Sequence, residues 1–79
     1  MLGSLTDEEV SRCREDALLY LAENTVDDLS GPGVVEGQRA IFGTRAGMAV
    51  VVEGGEVSYY RPGIFERLYL HTLKLSRPG

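Results

Sequence analysis

A single cysteine and a single histidine bound the chemistry that these 79 residues can support. Cys13 stands between Arg12 and Arg14, and a guanidinium beside a thiol favours the nucleophilic thiolate. A working thiol also needs a base within reach, and His71 lies near the other end of the chain. Helical spacing places Cys13 on one stripe with Val10, Ala17 and Leu21, so it reads as a core residue. His71 has no orienting partner that the sequence identifies and reads as a surface residue. One Cys and one His make no zinc site without several carboxylates or a second chain. Glu53 and Glu56 resemble an acid–base pair, but they flank Gly54-Gly55 and read as the solvated base of a tight turn. Neither that turn nor Gly43-Thr44-Arg45-Ala46-Gly47 fits a phosphate-loop or dinucleotide pattern. The sequence predicts no enzyme, cofactor or metal centre.

Binding chemistry is better represented. Tyr59, Tyr60, Arg61, Arg67, Tyr69, His71 and Lys74 interleave aromatic with basic side chains over the last third of the chain. Such a cluster could hold phosphates and stack bases. The sequence pI of about 4.8 argues against a nucleic-acid domain. Tyr and Arg are also enriched at protein–protein contacts, which makes a protein partner the preferred reading and nucleic acid the alternative. Leu19 and Leu70, each set among charged residues on a helical projection, join the candidate contact set with Tyr59, Tyr60, Arg61, Arg67, His71 and Lys74.

Charge divides the chain. Residues 1–37 carry nine acids and two bases, and residues 38–79 carry three acids and six bases. The two halves could attract each other within one fold, or between two copies. Seventy-nine residues make one domain, and area scaling buries only about 60% of the surface of so short a chain. Disulfides and metals being closed routes, oligomerisation is the expected source of extra stability, and the predicted partner is another protein or a second copy. No apolar run is long enough to span a membrane and the first residues lack a basic leader, so the expected location is cytoplasmic.

The elements that must position these residues are an α+β set. Thr6 and Glu9 form a capping box, with Leu5 and Val10 as a hydrophobic staple. A helix is therefore predicted over 7–24, or over 7–29 if Asn24-Thr25 does not break it. Strands are expected at about 38–42, 48–53 and 56–60, the last two joined by the Gly54-Gly55 turn. Residues 64–75 read as a helix with Phe65, Leu68, Tyr69 and Thr72 on one face and Arg67, Leu70, His71 and Lys74 opposite. Their alternative is a fourth strand. The predicted fold is an N-terminal amphipathic helix, a three-stranded antiparallel meander and a C-terminal helix, with two strand edges open to another chain.

Overall fold

Thr6 opens helix α1 (Asp7–Glu23) by the expected capping box, seen in the computed structural model, which describes residues 3–76 and the side chains of residues 3–70. The Thr6 hydroxyl accepts from the Glu9 N–H at 3.2 Å, and the Glu9 carboxylate accepts from the Thr6 N–H at 2.9 Å. These bonds to its charged form hold the Glu9 carboxyl below the usual carboxylate range.

The helix stops at Glu23 and does not continue to Leu29. Thr25 takes φ +54°, the left-handed conformation that reverses the chain at a helix end. The Thr25 N–H then reaches the Ala22 carbonyl at 3.3 Å and the Val26 N–H reaches the Leu21 carbonyl at 3.0 Å. This is a Schellman ending with a β-branched residue where glycine is usual. The Asn24 side-chain amide adds a bond to the Tyr20 carbonyl at 2.8 Å.

The sheet has four antiparallel strands in sequential order, one more than expected: β1 (Val34–Glu36), β2 (Arg39–Gly43), β3 (Ala49–Glu53) and β4 (Glu56–Tyr60). The additional strand is β1. The 64–75 segment is a helix, α2 (Ile64–Ser76), so the strand reading of that segment is overturned. Glycines make both tight turns: Gly37 (φ +64°) opens the β1–β2 turn, and Gly54 and Gly55 are both left-handed (φ +59° and +83°) between β3 and β4. Glu53 does face Glu56 at the base of that turn.

Alternation sorts the side chains. Ala40, Phe42, Val50, Val52, Val57 and Tyr59 lie on the face covered by α1, where Ala17 and Leu21 are buried against them and Cys13 packs at the margin. Val34, Ile41, Val51 and Tyr60 point to the other face, where α2 packs near β1. Before β1 the chain already runs beside the end of β2: Leu29 bridges Thr44, and the Ser30 N–H reaches the Gly43 carbonyl at 3.0 Å. Gly31-Pro32-Gly33 interrupts this edge.

Gly33 is held to glycine by space rather than by conformation. A Cβ there would stand 2.3 Å from Cε1 of Phe42, a ring with no exposed surface. Over the same ring the Arg14 guanidinium sits 5.8 Å from the centroid, and Arg14 donates to the Gly31 carbonyl at 2.9 Å.

Two stability changes follow. Gly33→Ala is expected to cost about 2 kcal/mol or more by overpacking, and Phe42→Leu in the same chain to cost less than the two single changes added together, read from urea unfolding. Thr25→Gly is expected to stabilise by about 1 kcal/mol through relief of the left-handed threonine. Additive effects in the first case, or a loss of stability in the second, would contradict this packing and this helix end.

Candidate interaction surface

Helix α2 is amphipathic, and of its described side chains Arg67 and Leu70 are the ones nearest the sheet. Leu70, half-buried, and Arg67, still largely exposed, line a cleft of about 190 Å³ between the helix and the sheet, with Val34, Ile41, Ala49 and Pro62 as its apolar walls. Arg67 lies beside the turn at Gly47, where an added Cβ would be 3.6 Å from its Nη2. On the outer side Ile64, Phe65, Leu68 and Tyr69 are exposed, Phe65 to 84%. The helix thus shows solvent the stripe that an amphipathic helix ordinarily buries.

The candidate residues separate into several places. Leu19 is exposed on the outer side of α1, as its position among charges implied. Leu70 is half-buried in the cleft, because the inward-facing side of α2 is the one that carries it. Tyr59 points under α1, its ring 6.2 Å from that of Tyr20. Tyr60 lies on the opposite face, and its hydroxyl donates to the Glu66 carboxylate at the start of α2. Arg61 is exposed just beyond β4. The side chains of His71, Thr72 and Lys74 lie outside the described residues. Tyr59, Tyr60 and Arg67 therefore form no single platform. The outward Ile64, Phe65 and Leu68 were legible as an apolar stripe, but periodicity carries no sign of which face of a helix meets the sheet.

The chemical candidates are spoken for by the fold. Burial, followed by the nearby Asp16 and Glu9 carboxylates, pushes the Cys13 thiol up, and the opposing pull of Arg12 is smaller. A nucleophilic thiol requires the reverse. In the 43–47 turn the Thr44, Arg45 and Gly47 N–H groups reach the carbonyls of Met48, Asp28 and Thr44, and the Met48 N–H reaches the Thr44 hydroxyl. Little is left there to cradle an anion. Among the described residues no group of three His, Cys, Asp or Glu side chains could hold a metal ion, and no helix is long and apolar enough to cross a membrane.

Comparison with protein-family models, with curated proteins and with solved structures finds no match.

Burial, reinforced by the bond to Glu66, raises the Tyr60 phenol to about 12. Its folded value lies above the roughly 10 of a free phenol, so the stabilisation from this contact is complete below about pH 10 and is lost as pH rises through about 12. In an ultraviolet absorbance titration one tyrosine is expected to ionise near 12, and Glu66→Gln to bring that step down. A step that Glu66→Gln leaves in place would show that α2 is not tied to β4 through this bond.

Proposed function

We propose that this protein is a non-catalytic interaction subunit that joins copies of itself. The observation that carries the reading is the outward apolar face of α2, where Ile64, Phe65, Leu68 and Tyr69 stand exposed within two helical turns. Contiguous apolar surface of this kind marks contact sites more often than scattered exposed residues do. Aromatic anchors with aliphatic neighbours are the side chains from which contact centres are built.

A second copy is the preferred occupant because a contact between two identical apolar stripes is self-complementary. The uneven charge of the chain supports it too: Asp7, Glu8 and Glu15 on the exposed side of α1 are free to meet Arg61 of another copy.

The nucleic-acid alternative draws less support from the same geometry. Tyr59 is engaged with Tyr20, Tyr60 with Glu66, and Arg67 lies beside Gly47, which among the described residues leaves no row of free rings flanked by bases.

Sedimentation velocity on the full chain at tens of micromolar is expected to show self-association, weakened at least about tenfold by Phe65→Ser with Leu68→Ser. Both side chains are exposed, so circular dichroism of the variant should stay unchanged. A strictly monomeric wild-type chain would overturn the reading. An assembly indifferent to the two substitutions would remove the outer face of α2 from it.

A further inference from the structure

We infer that β4 is a second self-association surface, at which two copies pair edge to edge, antiparallel about Ser58, into a continuous eight-stranded sheet. The inference rests on the self-association reading but is carried by a different observation, the contrast between the two edges of the sheet. The β1 edge is three residues long, is interrupted by Gly31-Pro32-Gly33 and has α2 packed near it. The β4 edge runs unbroken from Glu56 to Tyr60, pairs residue for residue with β3, and contains no proline, lysine, arginine or bulge; its one charged residue, Glu56, stands at the turn end. Proline, charge and bulges are the devices by which exposed edges ordinarily refuse another strand.

The register follows from the Gly54-Gly55 turn. A two-residue hairpin is closed by a hydrogen-bonded pair, here Glu53 with Glu56, and such pairs alternate along the ladder. Glu56, Ser58 and Tyr60 therefore direct their backbone groups to β3, and Val57 and Tyr59 direct theirs outward. Among the described residues nothing pairs with that outer side. Two copies related by a two-fold axis at Ser58 set Val57 opposite Tyr59 of the second copy, twice, and so form four backbone hydrogen bonds.

The side chains suit that arrangement and disfavour a shift toward the turn. Each Val57 meets a Tyr59 on the face below α1, a β-branched–aromatic pair of the kind that stabilises sheets. Ser58 meets Ser58 on the other face. Glu56 falls opposite Tyr60, so the two Glu56 carboxylates stay apart, and the exposed Arg61 comes beside the acidic Glu53–Glu56 turn of the other copy. A shift of two residues toward the turn would set Glu56 against Ser58 and Val57 against itself, losing the aromatic pairs. The occupant is a second copy because this register matches the strand to itself in both shape and charge.

The test reads register as well as association. At the two-fold axis the Ser58 Cα atoms stand about 4.5 Å apart in a non-hydrogen-bonded pair, close enough for a disulfide. In a Cys13→Ser chain, Ser58→Cys is expected to form an intermolecular disulfide under mild oxidation, and Glu56→Cys, exposed on the same face, to form far less. Ser58→Lys and Ser58→Glu should each weaken association at least about tenfold in sedimentation, and an equal mixture should restore it as Lys faces Glu. Val57→Pro should also weaken it, because it removes an outward N–H, with circular dichroism reporting what the loss of the Val57 side chain costs the fold. Association indifferent to Ser58→Lys and Val57→Pro, or equal crosslinking at 56 and 58, would overturn the β4 contact and leave self-association standing. A strict monomer would overturn both.

Discussion

The close approach of the Gly33 backbone to the Phe42 ring is the constraint around which the other elements are arranged. Phe42 is completely buried at the middle of the α1-covered face. Arg14 of α1 covers the same ring and binds the carbonyl of Gly31, so helix, ring and loop are tied at one point. With the 31–33 backbone held there, only three residues remain to pair with β2 before Gly37 turns the chain. The brevity of β1 and the walls of the cleft beneath α2 are both consequences of that one contact.

Helix α2 is attached on different terms from α1. A 13-residue helix is marginal in water without tertiary support. Among the described side chains that support comes from polar contacts at its start and from Leu70. Tyr60 binds Glu66, Arg67 rests by Gly47, and Leu70 enters the cleft, while Phe65 and its apolar neighbours stay outside. Burial at roughly 25 cal/mol per Å² would make covering those side chains favourable, and nothing on α1 or the described sheet is placed to do it.

Local chemistry made part of this fold legible in advance. The capping box at Thr6 and Glu9 and the paired glycines at 54 and 55 are short-range devices whose geometry is complete within four residues, and both stand where expected. The same reasoning missed β1, because Val34–Glu36 is too short to show an alternation and its partner is chosen by the Gly33–Phe42 contact. It left the end of α1 open, because a threonine occupies the left-handed position that glycine usually announces. It grouped Phe65, Leu68 and Tyr69 on one face of α2, and all three stand exposed, but it also assigned Leu70 to the exposed surface, where it is half-buried. Leu68 and Leu70 lie on opposite sides of the helix, so the placement of leucines did not say which side meets the sheet.

The interruption at Gly31-Pro32-Gly33 has a consequence for growth. A sheet with two clean edges can take on strands from both sides and has no inherent stopping point, the condition under which chains propagate into fibres. This sheet has one clean edge. Whatever strand it accepts at β4, the far side offers only a broken, proline-bearing margin, so the molecule is built to terminate a sheet and not to extend one.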